Sequence, residues 1–291
     1  MIRQLQKLYP SLLVFNGDLK DLNSDYKWFA TGTNDIIGFP KDQLSSKEES
    51  LLAAFITPYN TDFPPLTPDE QKWNKIIHSD GLFDLDKPYR FIYFSINKNQ
   101  ITPVFFQNAI QELFAEQVPI LWENENGGII IERQTIVEDT TSYEQIIDVL
   151  TSDLYVKIKF FVGPFQHDLN IAATYYHSII DSAKKAFSYS DKTVITYIDA
   201  IPYLLIDQIE PDLRRDISQI VLQEYLDDDE TLKMIDMFVH CNLNISETAK
   251  RLHMHRNSLQ YKLDRFEEKT GIDIRQFQQA MTVYLALLAK N

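Results

Sequence analysis

The sequence holds a single cysteine, Cys241, among 291 residues. No disulfide can form within the chain, and a reducing, cytoplasmic setting is the expectation. Glycine is scarce, with eight in all, and only Gly127 and Gly128 adjoin. That leaves no Gly-rich loop to cradle a phosphate, and no nucleophile motif is present either. Long apolar runs are missing. The nearest, AMTVYLALLA at 280–289, has about half of the ~20 residues that a membrane span needs. The first fifteen residues are interrupted by Gln4, Lys7 and Pro10, so no secretory apolar region is expected. A soluble protein with no membrane partner is the resulting expectation. A basic excess is also missing. With 28 Lys/Arg against 42 Asp/Glu the net charge is −14, and an acidic surface repels phosphate. What is there is ordinary globular material, 44% apolar and 24% charged, which excludes disordered, collagen-like and low-complexity chains. The length suits two or three domains of about 100–200 residues.

The acidity is not evenly spread. From Asn242 onward there are eight Lys/Arg and five acids, a net +3, whereas the preceding 241 residues carry −17. Such asymmetry can mark a basic interaction module carried by an acidic body.

No internal repeat is found. Residues 1–57 read as mixed, with strand-like runs at SLLVF and YKWFATG and a helix from about Ser45 to Phe55. Ser45 and Ser46 can cap that helix, with Glu48 and Glu49 in its first turn. The stretch TPYNTDFPPLTP (57–68) holds four prolines and reads as a loop or boundary. Thr67 then caps a helix that has Pro68 at its first position and runs to about His78. Residues 89–198 predict a regular series: strand 89–96, helix 103–116, a hairpin over 119–133, helix 142–151, strand 155–163, helix 168–187 and strand 192–198. Asn126, Gly127 and Gly128 give the hairpin its turn. The order βαββαβαβ builds a sheet with helices packed on it, as in ferredoxin-like α+β folds. From Asp199 onward the pattern is helical. Pro211 opens one helix to about Leu226, and Asp227, Asp228 and Asp229 precede another that ends near His240.

The segment NISETAKRLHMHRNSLQYKLDRF (244–266) carries the functional signal. Asn244 and Glu247 fit the N-cap and N3 places of a capping box. A short helix with Ile245, Ala249 and Leu252 inward is followed by His253, Met254 and His255, room only for a tight turn. A second helix starts near Arg256, has Leu259, Leu263 and Phe266 on one face and ends at Gly271 after Lys269. A helix-turn-helix needs this spacing: a small residue where the helices cross, an apolar plug under the turn, and leucines that pack the second helix back. Arg256, Asn257, Gln260, Tyr261 and Lys262 are then left outward, with His255 at the N-terminal end. Arg reads guanine, Asn and Gln read adenine, and Lys and Arg grip phosphate. The candidate DNA-binding set is Thr248, Lys250, His255, Arg256, Asn257, Ser258, Gln260, Tyr261, Lys262 and Arg265, with a recognition helix over about 256–267.

The string HRNSLQYKLDRFEEKTGIDI (255–274), with SETAKRL before it and TVYLALLA after it, resembles the C-terminal helix-turn-helix of PucR/CdaR-type transcriptional regulators. The matching positions are Ala249, His255, Arg256, Asn257, Leu259, Lys262, Leu263, Thr270 and Gly271. Ser258 stands where Thr is usual, and Lys262 where Arg is usual. The spacing is also similar to the Fis-type motif, whose turn residue is Gly where this chain has His253. A left-handed non-Gly residue costs ~1–2 kcal/mol, although His is enriched there. The family resemblance extends upstream more loosely. It implies that residues 89–200 form a degenerate GGDEF-like α+β domain, with FFVGPFQHDLNIAATYYHSIIDSAKKAF (160–187) as its strand, loop and helix. In an active cyclase acidic residues follow the Gly-Gly hairpin, whereas Ile129, Ile130 and Ile131 follow it here, so no cyclase activity is expected.

The expected organisation is a small mixed α/β region over 1–88 with a sensory or partner-binding role, the ferredoxin-like/GGDEF-like sheet domain over 89–200, and an all-α helix-turn-helix domain over 201–291. The function this implies is sequence-specific regulation of transcription by a non-enzymatic homodimer on double-stranded DNA, answering to an unknown small-molecule or protein effector. The competing readings are a surviving cyclase or hydrolase, which the missing acids oppose, and an inactive-cyclase-like adaptor without DNA binding, which Arg256, Asn257 and Lys262 oppose. No cofactor is implied. His240, Cys241, His253 and His255 lack zinc-finger spacing, the acids 227–230 suit a helix N-terminus, and Trp28, Trp73, Trp122, Tyr175 and Tyr176 suit a core.

Overall fold

The structure is a computed structural model whose described residues are 2–15, 25–31, 35–59, 63–78, 87–98, 100–114, 116–134 and 142–290. Gly32, Asn60, Thr61, Asp62 and Ala115, which fall in an expected strand, loop and helix, lie outside them. The architecture is α+β with a helical C-terminal region. The chain divides into two compact units, Met1–Gly81 with Phe94–Ile158, and Leu82–Tyr93 with Lys159–Asn291. Among the described residues no helix is long and apolar enough to cross a membrane.

The chain opens with α1 (Ile2–Leu8), β1 (Leu13–Phe15), β2 (Tyr26–Ala30), β3 (Ile36–Pro40), α2 (Ser46–Ala53) and β4 (Thr57–Tyr59). The strands form an antiparallel sheet in the order β1-β3-β2-β4. Its core is Leu12, Phe29, Ile37, Phe39 and Ile56, covered by Ile2, Leu5 and Tyr9 on one side of the sequence and Leu44 and Leu52 on the other. Trp28 lies opposite Gly38 in the register. A β-carbon on Gly38 would stand 2.6 Å from the Trp28 ring, so only glycine lets the indole lie there. The Ser45 cap forms as expected. Its hydroxyl accepts from the Glu48 N–H at 3.3 Å and its own N–H donates to the Glu48 carboxylate at 2.9 Å.

The helix α3 (Pro68–His78) begins with a second such box, made by Thr67 and Glu70. Glu70 is buried, and its carboxylate accepts three hydrogen bonds. It accepts from the Thr67 N–H at 2.7 Å, the Ile120 N–H at 2.9 Å and the Gln107 amide at 3.1 Å; its own N–H completes the box. Beside it Arg133 donates to both oxygens of Asp69 at 2.7 Å. These bonds fasten α3 to strands far ahead of it in the chain.

The second sheet contains β5 (Tyr89–Ile96), β6 (Ile120–Asn124), β7 (Gly127–Arg133), β8 (Ile158–Val162) and β9 (Val194–Thr196) in the order β6-β7-β5-β8-β9. Between them run α4 (Pro103–Leu113), α5 (Tyr143–Leu154) and α6 (Ala172–Tyr189). The first strand of the series sits beside the third and fourth, the ferredoxin-like arrangement, with β9 added parallel to β8. The division between the two units falls within β5. As a central strand, β5 buries all but Arg90 and Ser95. At the hairpin a β-carbon on Gly128 would meet the Leu121 carbonyl at 2.4 Å and the Trp122 backbone at 2.9 Å. Close packing under Trp122 therefore accounts for this glycine.

The rest of the second unit is helical: α7 (Tyr197–Asp207), α8 (Pro211–Leu222), α9 (Asp229–His240), α10 (Ile245–Arg251), α11 (Arg256–Thr270) and α12 (Phe277–Lys290). The helix α8 stops four residues short of the expected Leu226 because Gln223 turns to φ +48° and a 3-10 turn follows. One core joins α8 to α12, with Leu222, Ile235, Phe238, Ala249, Leu259, Leu263, Phe266 and Val283 at its centre.

Candidate nucleic-acid interface

Three helices and two tight turns build the site. Asp228 caps α9: its carboxylate accepts from the Thr231 N–H at 3.1 Å and the Thr231 hydroxyl at 2.6 Å. The Thr231 bonds hold that carboxyl below the usual aspartate range. At the other end of α9 the Leu243 N–H reaches the Phe238 carbonyl and the Asn242 N–H the Val239 carbonyl, both at 3.0 Å. This is a Schellman ending made without glycine, with Asn242 at φ +53° and Leu243 at φ +60°.

The Asn244 side chain caps α10 by accepting from the Glu247 N–H at 3.0 Å. The reciprocal arm of the expected box is replaced by a pair between Glu247 and Arg251 at 3.0 Å. Ala249 is buried at the crossing, as its size requires. The turn is a second Schellman ending: the Met254 N–H donates to the Ala249 carbonyl at 2.9 Å and the His253 N–H to the Lys250 carbonyl at 3.2 Å. His253 takes the left-handed position at φ +52°, the place that the sequence comparison gave to glycine. Met254 packs partly buried against the core beneath it.

His255 caps α11. Its Nδ1 accepts the Asn257 N–H at 3.2 Å. A backbone N–H only donates, so Nδ1 is the acceptor in this cap. Leu259, Leu263 and Phe266 are fully buried and hold the helix down, each side chain contributing about 2 kcal/mol of burial. Gly271 at φ +73° ends the helix. Arg275 then locks its far half to the following loop, donating to Asp264 at 2.5 Å and Asp273 at 2.6 Å and pairing with Glu267.

The residues singled out from sequence fall into three groups. His255, Arg256, Asn257, Ser258, Gln260, Tyr261 and Arg265 are exposed on α11 or at its start, and Lys250 is exposed on α10. Lys262 is half-buried and paired with Glu230 of α9. Thr248 is wholly buried, with its hydroxyl donating to the Asn244 carbonyl at 2.7 Å. It packs the motif from inside and offers no surface to a duplex, which corrects its place in the expected set.

The basic excess is smaller in space than in sequence. Of the eight Lys/Arg after Asn242, Arg251, Lys262, Lys269, Arg275 and Lys290 are paired with carboxylates. Lys250, Arg256 and Arg265 have no ion-pair partner among the described residues, and all three belong to the helix-turn-helix. A groove of about 570 Å³ runs along α11. Asn257, Ser258, Tyr261, Lys262 and Arg265 form one wall, and Tyr225, Asp228, Glu230 and Thr231 the other. Glu230 escaped the sequence reading because the acids 227–230 read as helix caps, and only Asp228 caps.

An inward apolar stripe on α11, an outward polar one and the tight turn before it define a helix-turn-helix domain. Residues 231–289 match the PucR C-terminal helix-turn-helix domain. Over most of its length the chain is similar to the Uncharacterized protein YxkF of Bacillus subtilis, 27% identical over 99% of this chain and 98% of that one. It is 33% identical to the Purine catabolism regulatory protein of Bacillus subtilis over 24% of this chain and 13% of that one. It is 41% identical to the Carbohydrate diacid regulator of Escherichia coli over 16% of this chain and 12% of that one.

Proposed function

We propose that the protein is a transcriptional regulator that binds specific DNA sequences as a homodimer, with α11 in the major groove. The observation that carries this reading is the surface of α11. Over its first ten residues every apolar side chain except Tyr261 is buried, and Arg256, Asn257, Gln260 and Arg265 stand outward. Those side chains suit guanine, adenine and phosphate. The names of two regulators that the chain resembles in part agree with it. The N-terminal end of such a helix reaches base edges, and two half-sites about one helical turn apart supply the contacts that one copy lacks. The sheet-containing regions are left to receive the signal, a small molecule or a protein.

The test is retention of sheared genomic DNA by the purified protein, followed by sequencing, with an Arg256→Ala/Lys262→Ala double variant alongside. Enrichment of a few upstream sites by the parent protein, lost in the variant, is the expected result. Equal retention by both proteins would refute α11 as the reader.

A further inference from the structure

The acidic wall of the groove has no place in ordinary DNA binding, because it sets two carboxylates beside the helix meant for a polyanion. Glu230 is 81% exposed at its side chain, yet it reaches across from α9 to pair with the Lys262 ammonium. Asp228 stands behind it on the same wall, and Asn257, Ser258, Tyr261 and Arg265 complete the groove. Asp228 already serves the α9 cap and Thr231. Glu230 has no capping bond and is not needed to satisfy a buried group. Its effect falls on Lys262, which is otherwise the cation on the α9 side of the recognition helix.

We propose that Glu230 sets the affinity and the salt dependence of DNA binding: it neutralises Lys262 until a phosphate beside α11 takes the lysine over. This rests on the DNA-binding reading above. On DNA of arbitrary sequence α11 is not held in register, so Lys262 gains a phosphate only by giving up Glu230. The freed carboxylate then recruits a cation as the displaced phosphate counterion leaves, and the net ion release from this contact is close to zero. On a cognate site the cost is the same, but the base contacts outweigh it. Glu230 therefore weakens both complexes by the same factor and makes both less dependent on salt.

The experiment measures binding of the full chain to a mixed-sequence duplex and to an enriched duplex across a salt series. The proteins are the parent, Glu230→Gln, Glu230→Ala, Lys262→Gln and the double Glu230→Gln/Lys262→Gln. Glu230→Gln should bind the mixed duplex about five- to tenfold more tightly near 0.1 M salt, with a log–log salt slope steeper by about one, the share of one phosphate contact. Glu230→Ala should do the same. Affinity for the enriched duplex should rise by the same factor, so preference between the duplexes should stay unchanged in both variants. In the Lys262→Gln background the Glu230 change should have no effect on slope. Two results would overturn the proposal while leaving the DNA reading intact. One is an unchanged slope and affinity in both Glu230 variants. The other is a gain that persists without Lys262, which would reduce the effect to overall charge. Failure of the parent to bind either duplex at low salt would instead refute the DNA-binding reading itself.

Discussion

His253 shows how much of the turn depends on single residues. It occupies the left-handed position of the α10 ending at φ +52°, where a β-carbon costs ~1–2 kcal/mol. His253→Gly removes that cost and loosens the unfolded chain by ~0.4–1 kcal/mol. A net gain of up to about 1 kcal/mol should appear as a higher melting temperature, and a lower one would mean that the imidazole makes a stabilising contact. Asn257 and Arg256 pose the opposite question, since neither supports the fold and both stand exposed at the start of α11. Replacing either by Ala should leave the melting temperature in place. It should cost about 1–3 kcal/mol on an enriched site, if that residue reads a base. An equal loss on mixed-sequence DNA would make that residue a phosphate contact.

At the scale of elements, the far end of α9 carries a titration. The His240 Nδ1 donates to the Asp236 carbonyl at 2.9 Å and lies 3.3 Å from the Asp236 carboxylate, with Tyr284 of α12 edge-on at 5.8 Å. The Asp236 bonds raise the histidine above its ordinary value against an opposing effect of burial and of Lys192. A raised folded value means that the charged form is favoured by folding. Its contribution is complete below the unfolded value of about 6.5 and is lost as pH rises through the folded one. His240→Gln should therefore lower the melting temperature at about pH 6 and matter less by about pH 8. A difference that does not change with pH would leave Asp236 without a role.

The same scale shows what the sequence could carry. The elements α9, α10 and α11 were legible because their signals are local: Asp228 and Asn244 as caps, Gly271 as a stop, and leucines on a 3.6-residue period. The ferredoxin-like series was legible for a similar reason, since β5 and β8 are apolar runs and the hairpin has its Asn-Gly-Gly turn. The elements α1, β3 and β4 were not. β4 is three residues with Pro58 in the middle, admitted only as an edge strand beside β2. The partners of Glu70 and Glu230 lie up to 50 and 32 residues away, and no local pattern records such a meeting. Thr248 has the chemistry of a phosphate ligand, and only its helical phase against Ala249 and the core turned it inward.

For the whole molecule the governing fact is a net charge of −14 with three unpaired cations on the helix-turn-helix among the described residues. Lys250, Arg256 and Arg265 can neutralise about three phosphates per copy, which gives a log–log salt slope of roughly −2.7 for one copy and −5.4 for two. Between 50 and 200 mM salt that is about a fortyfold loss of affinity for a monomer and on the order of a thousandfold for a dimer. The two assemblies thus separate on salt dependence alone. A duplex with two half-sites should give the steeper slope, and the same duplex with one half-site scrambled should bind far more weakly. Sedimentation of the free protein should show the dimer at the concentrations used. A slope of roughly −2.7 on both duplexes, with a sedimenting monomer, would mean that a single α11 reads DNA alone. The acidic body would then have to be held off the duplex without the second copy that symmetry supplies.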